Sequence, residues 1–502
     1  MSEPRLDLLV VADLHYAPSG VPPTAGEVVR HGEWARILLR KTLLRLRHMG
    51  RQPDGMVFLG DLLDEDHGEE PESLLRALAE EAQAADIPVL AVAGNHDPSG
   101  DLVATLFHSP TGFREFGGYG FLLFRDPIGV GDVATRRQED LDLPIQVARK
   151  RPDLPLIAIQ HHPLYPPIDS TYPFLPSNVE EILAGFDQAR VLLSLSGHCH
   201  WGTGPVRRGA TLYRTTPALC ENPFRFDYVR LRGRDVQIES LALRLDVPGL
   251  SDIHCHTELA YCASSVRAET NVALSRAMGV EKQALTEHAF HLYLPPEEAW
   301  SFRWQTDRDL ALQALAGPSR MEEFRALAAR VRGEHVRVGL EVDWREGEGW
   351  LLRPGDEQGW DLLIGGVHAW PGVTRETARK ARRTDLERLF LRQVEDLLAK
   401  RIHVLTHPYR VFTRWGLEEP TALDDRLIEM LKAAGAAAEI NFHDHPTSDR
   451  FYSKCLARGV PLALGTDAHD LAEVGELYPH VETLTRLGVD PAGADGRIFR
   501  LR

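Results

Sequence analysis

Cysteine is scarce in this chain: 502 residues hold five, Cys199, Cys220, Cys255, Cys262 and Cys455, an odd and scattered set that offers no disulfide framework. A reducing compartment, the cytoplasm, is the simplest expectation. No apolar run approaches the ~20 residues that a membrane helix requires, so no membrane partner is expected. The N-terminus, Met1-Ser2-Glu3-Pro4-Arg5-Leu6-Asp7, has early acids and no apolar signal core. Excess positive charge is lacking too. The formal net charge is −16, which favours solubility and speaks against a broad nucleic-acid-binding surface. It leaves an anionic substrate open, because bound cations would reverse the local field.

Histidine, by contrast, is abundant: there are 22, many in short clusters beside Asp, Asn and Gly. Neutral imidazole is the commonest metal ligand, so such clusters point first to metal chemistry. The clusters punctuate a pattern of short apolar runs and longer helical periodicities. In the first half, 6–11, 56–59, 89–93, 156–159 and 191–195 read as strands, with helical patterns over 27–49 and 73–84. Three strand-like segments near 211–214, 226–231 and 236–243 have no helix between them, which predicts a terminating antiparallel sheet. The Pro248-Gly249 turn signal sets a boundary, giving domains 1–247 and 248–502. In the second half, seven apolar runs close on His254, Glu287, Glu341, His368, His407, Glu439 and Asp467. Helical patterns over 321–332, 384–399 and 425–434 alternate with them, which predicts parallel βα units and a barrel with its site at the strand C-termini.

Five blocks carry the chemistry of the first half: Asp13-Leu14-His15, Gly60-Asp61-Leu62-Leu63-Asp64, Gly94-Asn95-His96-Asp97, His161-His162-Pro163 and Gly197-His198-Cys199-His200. Residues two apart on an extended chain point the same way, so Asp13 and His15 can reach one cation, as can His198 and His200. Asp61 can bridge two cations, Asn95 offers a neutral oxygen, and either His161 or His162 another nitrogen. Mixed N/O donors suit Mn, Fe or Zn. Two such ions ~3.5–4 Å apart can clamp phosphoryl oxygens for in-line attack. His96 would face the substrate and protonate the leaving oxygen. Cys199, between two ligands and on the opposite face, reads as a packing residue, and His31, His48, His67 and His108 read as solvated.

This set resembles the calcineurin-like metallophosphoesterase family over roughly 5–245. The resemblance implies a four-layer α/β/β/α sandwich with two metal ions. It makes Asp13, His15, Asp61, Asn95, His161, His198 and His200 ligands and His96 the catalytic residue, with Asp64 orienting a ligand from behind.

The second half carries Asp252-Ile253-His254-Cys255-His256, Thr286-Glu287-His288, Gly339-Leu340-Glu341-Val342-Asp343, Gly365-Gly366-Val367-His368, Thr406-His407-Pro408 and Gly465-Thr466-Asp467-Ala468-His469. These blocks resemble the PHP (polymerase and histidinol phosphatase) family, in its histidinol-phosphatase-like branch. Six histidines with Glu341 and Asp467 are enough ligands for two or three metal ions, and the resemblance implies a distorted (β/α)7 barrel with a trinuclear Zn, Mn or Fe site. Its ligand positions fall on His254, His256, His288, Glu341, His368, His407, Asp467 and His469. Glu287 and Gly366 stand where the family more often has Asp and Ser. Cys262 is either a further ligand, which would favour zinc, or a buried apolar residue. Glu287, Glu439 and Asn441 are expected behind the ligands, His443 and His445 on an exposed loop, and Arg410 against a substrate phosphate.

The reading is of a bifunctional metal-dependent phosphohydrolase for small phosphodiesters, phosphomonoesters or both. The alternatives are a nucleic-acid-processing phosphoesterase, or a chain in which one half binds metal without catalysis.

Overall fold

The structure, a computed structural model, describes residues 3–17, 28–64, 71–98 and 100–501. The chain divides into two compact units, Met1–Arg244 and Leu245–Arg502. His67, and residue 27 at the start of the first expected helix, lie outside the described residues.

The strands of the first unit are β1 (Arg5–Val11), β2 (Gly55–Phe58), β3 (Val89–Ala91), β4 (Gly112–Phe116), β5 (Tyr119–Leu123), β6 (Leu156–Ile159), β7 (Leu193–Ser196), β8 (Thr203–Arg208), β9 (Thr211–Thr215), β10 (Arg225–Arg232) and β11 (Asp235–Ala242). They build a five-stranded sheet, β11-β10-β1-β2-β3, and a six-stranded sheet, β4-β5-β6-β7-β9-β8. The two-residue period of a strand decides which layer each side chain enters. Phe121 and Leu123 of β5 join Leu8, Val10, Val57, Ile157 and Ile159 in the core between the sheets. Leu122 points the other way and packs with Ile182, Leu183 and Phe186 of helix Val179–Ala189. Leu9 and Val11 are as fully buried as Leu8 and Val10, as befits a strand covered on both faces. Helices Ala35–His48 and Pro71–Gln83 bury leucine stripes, Leu38, Leu39 and Leu46 on one and Leu74, Leu75 and Leu78 on the other. The result is the helix–sheet–sheet–helix stack.

Two local expectations are corrected. The last three strands do not form one antiparallel sheet: β9 runs parallel to β7 in the second sheet, while β10 returns to pair antiparallel with β1 in the first. The chain crosses between the sheets at this point, and the crossing carries Thr216–Glu221 past the end of β1, where Leu219 donates its N–H to the Ala12 carbonyl at 2.9 Å. The helix expected from 27 starts only at Ala35, after a short 3₁₀ turn, Gly32–Trp34. His31 is not simply solvated there; its ring stacks on Trp34 at 4.3 Å.

In the second unit β12 (Ser251–Cys255), β13 (Lys282–His288), β14 (Val336–Asp343), β15 (Leu362–Gly366), β16 (Val404–Leu405), β17 (Ala437–Asn441) and β18 (Leu462–Gly465) form one seven-stranded sheet in chain order. Every neighbouring pair is parallel. The sheet curls so that β12 meets the end of β18 through a bridge between Cys255 and Ala468. Ile253, Ala284, Ile364, Val404, Ala437 and Ala463 fill the interior. The unit is therefore a distorted seven-stranded barrel, and its seven strand ends point to one mouth. Among the described residues no helix is long and apolar enough to cross a membrane.

Candidate metal centres

At the first centre, β1, β2, β3, β6 and β7 each end two to four residues before a predicted site residue. Several of these residues bend sharply out of the strand. Asp13 (φ 52°), His15 (44°), Asp61 (50°) and His198 (67°) all occupy the left-handed region. Non-glycine residues avoid this region, and strain of this kind concentrates at functional sites. Backbone bonds hold the bends: Asp13 donates to the Gly60 carbonyl at 3.2 Å and His15 to that of Asp61 at 2.9 Å.

The side chains converge in two groups, Asp13/His15/His200 and Asp61/His161/His198, each with its donor atoms within 4.8 Å of one another. His15 Nε2 and His200 Nε2 are 3.2 Å apart; His161 Nε2 lies 2.9 Å from Asn95 Oδ1 and 3.1 Å from His198 Nδ1. Asp61 Oδ2 stands between the groups, 3.7 Å from His15 and 3.3 Å from His161, the position of a bridging carboxylate. His161 donates through Nδ1 to the Leu59 carbonyl at 2.7 Å, which turns Nε2 inward. His162 is also buried, but its ring packs on His198 at 4.5 Å. His96 sits at the rim, its Nε2 4.0 Å from Asp61 and its Nδ1 3.9 Å from Asp64. Asp64 also approaches His15 Nδ1 at 3.6 Å. Cys199 is fully buried.

Three contributions were not legible beforehand. Glu221 accepts from His200 Nδ1 at 2.5 Å and so orients it. Asp97 accepts from the N–H groups of Leu62 (2.9 Å), Leu63 (3.0 Å) and Gly94 (2.8 Å), joining the β2 and β3 loops. Around the mouth, Tyr172 and Phe174 lie 5.6 and 5.4 Å from the His198 ring, and Trp201, 63% exposed, flanks Phe174.

At the second centre Glu341 is the hub. Its Oε2 faces His288 Nδ1 (2.7 Å), His254 Nε2 (3.4 Å) and His256 Nε2 (3.8 Å). Its Oε1 faces His407 Nε2 (3.0 Å) and His368 Nε2 (3.5 Å). Asp467 Oδ1 adds contacts to His256 at 3.0 Å and His254 at 3.4 Å. The His469 ring lies 4.4 Å from His256, and His256, His288 and His469 make a third donor group. Asp467 (φ 54°) and His407 (30°) repeat the left-handed bends of the first centre.

The orienting residues are equally defined. Glu439 accepts from His254 Nδ1 at 2.8 Å and from the His407 N–H at 2.7 Å. Glu287 accepts from the Thr257 hydroxyl at 2.5 Å and lies 3.5 Å from His256 Nδ1. Asp343 takes His368 Nδ1 at 3.0 Å. Cys262 stands with His288 and His291 in a further donor group, and burial pushes its thiol pKa far up. His291, fully buried three residues past His288, escaped the motif reading; its Nδ1 accepts the Tyr261 N–H at 3.3 Å.

Two expectations do not hold here. Arg410 is not free for a substrate: its guanidinium is buried on Asp467 Oδ2 at 2.6 Å and on Asn441 Oδ1. His443 is not an exposed loop residue; it binds Glu473 at 2.9 Å and its ring lies 4.6 Å from His469, whereas His445 is exposed.

The donor sets fit metal ions. His198 Nε2 and His407 Nδ1 are buried without a hydrogen-bond partner among the described residues, a costly state unless something else binds them. The electrostatics agree. Burial opposes charge on Asp61, yet the surrounding imidazoles, His161 foremost, hold its carboxyl well below the usual range. Burial likewise opposes the proton on His161, but Asp61 beside it carries that imidazole up to about 9. Each cluster of carboxylates therefore demands positive charge in its midst.

Comparison with known proteins agrees with this geometry. Residues 6–202 match the family model for calcineurin-like phosphoesterases, and residues 252–443 match that for the PHP domain. No curated protein matches the chain. Among solved structures, a dimetal phosphatase from Danio rerio is similar at 17% identity, covering 48% of this chain and 99% of that one (TM-score 0.39). The purple acid phosphatase PPD1 of yellow lupin (Lupinus luteus) is similar at 13% identity over 48% of this chain and 52% of that one (0.35). A Listeria monocytogenes protein assigned as a histidinol phosphatase is similar at 14% identity over 46% and 99% (0.33).

Proposed function

Since this chain joins a calcineurin-like phosphoesterase domain to a PHP domain and is thereby a metal-dependent phosphohydrolase, we propose that both halves are catalytic and act on small phosphate esters, the first opening a phosphodiester and the second removing the resulting monoester. The observation that carries this reading is the same in each half: one buried carboxylate, Asp61 or Glu341, stands at the meeting point of two groups of imidazoles. Ions bound there would supply Lewis-acid stabilisation of the phosphoryl group and a nucleophile at neutral pH. Asp13, His15, Asp61, Asn95, His161, His198 and His200 would hold them in the first centre. In the second the holders would be His254, His256, His288, Glu341, His368, His407, Asp467 and His469.

The chain's own groups divide the remaining work. His96, at the rim with its side chain 17% exposed, is placed to protonate a departing alkoxide. Glu221 and Glu439 fix the tautomers of His200 and His254. The net charge of −16 favours a small substrate over a nucleic-acid polymer.

The test uses the full chain and three variants: Asp61→Ala, Glu341→Ala and the double. On a small phosphodiester, Asp61→Ala should abolish opening, whereas Glu341→Ala should let the monoester accumulate without release of inorganic phosphate. Unchanged phosphate release in both single variants ends the sequential reading.

A further inference from the structure

We infer that the second unit holds an accessory binding site for a free tetrahedral dianion of the phosphate and sulfate class, built on the guanidinium groups of Arg345 and Arg308 and separate from the metal ligands. The loop that follows β14 and the start of helix Arg308–Ala316 border a cavity of about 340 Å³, lined by Gln305, Thr306, Arg308, Arg345, Glu346 and Glu348. None of these residues is among the candidate ligands of either centre.

Arg345 is the observation that points to an anion. Among the described residues the buried arginines are Arg45, Arg136, Arg214, Arg345 and Arg410. Arg136 lies on Asp126, Arg214 on Asp227 and Arg410 on Asp467, while Arg45 donates to the carbonyls of Ala242 and Leu243. Arg345, only 5% exposed, makes no side-chain hydrogen bond or ion pair among the described residues. A buried charge left in this state is costly, and burial pulls the Arg345 pKa down, with Glu348 working against that fall and Arg308 adding to it. The backbone nonetheless pins the residue in place. Arg345 donates its N–H to the Gly349 carbonyl at 3.3 Å and accepts from the Gly349 N–H at 2.9 Å, and the Glu346 N–H reaches the Gln305 carbonyl at 2.8 Å. Gly347 (φ 78°) and Gly349 (83°) supply the left-handed bends that close this loop.

The charge around the cavity matches a dianion. The Arg308 guanidinium likewise has no partner among the described residues, so two positive forks border one space. Guanidinium groups bind phosphate-like oxygens bidentately, and two of them balance two negative charges. Of the two acids in the wall, Glu346 is engaged by Arg392 at 3.3 Å, and Glu348 is exposed and forms no ion pair with either arginine. The cavity also connects to the second centre. Gln305 donates through Nε2 to Asp343 Oδ1 at 3.3 Å, and Asp343 Oδ2 takes His368 Nδ1 at 3.0 Å. The anion would thus sit behind His368, outside the ligand cluster, with two side chains between.

The test is thermal unfolding of the full metal-loaded chain, followed by tryptophan fluorescence, in sodium sulfate, acetate and chloride at equal ionic strength. All nine tryptophans except Trp34 and Trp201 belong to the second unit, so the signal reports chiefly on it. Sulfate at about five times its dissociation constant should raise the midpoint of the parent over that of Arg345→Met by about 2–4 °C. General salting by sulfate, and any sulfate at the metal ions, act on both chains and cancel in this difference. In chloride the order should level or reverse, because Arg345→Met removes a buried charge that has no partner. Arg345→Lys, which keeps the charge and loses the fork, should retain only part of the sulfate gain. Glu348→Gln should enlarge that gain by removing the one carboxylate that competes for Arg345. A midpoint that Arg345→Met lowers equally in all three salts means a packing role and overturns the proposal. So does a gain in acetate as large as in sulfate, or a loss in chloride on Glu348→Gln, which would make Glu348 the partner of Arg345.

Discussion

Glu439 grips His254 from behind: its Oε1 accepts from His254 Nδ1 at 2.8 Å, leaving Nε2 to face Glu341 and Asp467. The contact fixes both the ring's orientation and its tautomer, and partners of this kind typically contribute 10–100-fold to metal affinity. Glu439→Gln should therefore weaken metal binding at the second centre by about tenfold or more while leaving the fold intact. Competition with a metallochromic chelator measures it; an unchanged affinity means that His254 does not depend on this carboxylate.

Asp97 plays a structural part that asparagine cannot. Its two oxygens take three backbone N–H groups from two loops, and an amide has only one acceptor oxygen to offer. Asp97→Asn should lower the stability of the first unit by about 1–3 kcal/mol, the range for leaving a buried backbone donor without its acceptor. Thermal unfolding would report it, and loss of the diesterase activity proposed for this half should accompany it because Asn95 and His96 lie on the released loop.

The glycine at 366 answers a specific constraint. A Cβ there would stand 2.5 Å from Thr406 Oγ1 and 2.7 Å from His407 Cε1. Serine, common at this position in the resembling family, would push His407 away from Glu341. Gly366→Ser should cost about 1–3 kcal/mol as an overpacked site and should lower kcat of the monoesterase activity proposed for this half more than it changes the far-UV spectrum.

Asp126 and Arg136 form a buried bidentate pair at 2.8 and 2.9 Å, with the guanidinium 3.9 Å over the Phe124 ring. Burial alone would raise the Asp126 carboxyl, but Arg136 more than reverses this and holds it below the usual carboxylate range. A depressed folded-state pKa contributes stability that is fully present above the unfolded value, ~3.9, and is lost as pH falls through the lower folded one. Asp126→Asn should thus cost about 3 kcal/mol at pH 7 by leaving Arg136 buried and unpaired. The gap between variant and parent should stay level down to about pH 5 and narrow below about pH 4. Urea unfolding across that range tests both the size and the sign.

The candidate ligands were readable because their chemistry is carried by residue type: His-x-His, Gly-Asn-His and Gly-x-Glu-x-Asp leave few other uses for such side chains. The strands that deliver them were readable as apolar runs. What escaped depends on tertiary approach. Glu221 reaches His200 only because the chain crosses between sheets after β9. β8, Thr203–Arg208, carries Gly, Pro and two arginines in an edge position where the burial pattern barely alternates. His291 follows a motif without belonging to it. Arg410 looked available because only the folded chain brings Asp467 and Asn441 to it.

The seam between β12 and β18 has a mechanical side. Among the described residues the first and last strands of the cylinder meet at a bridge between Cys255 and Ala468, with the Asp467 N–H on the His254 carbonyl at 2.7 Å and the His256 N–H on that of Ala468 at 3.2 Å, and Asp252 reinforces the join by accepting from the Thr466 N–H at 3.0 Å and from its hydroxyl at 2.6 Å. His254 and His256 lie on one lip of that seam and Asp467 and His469 on the other. An ion shared across the lips would act as a rivet, so emptying the centre should loosen the ring at its join well before the remaining staves part.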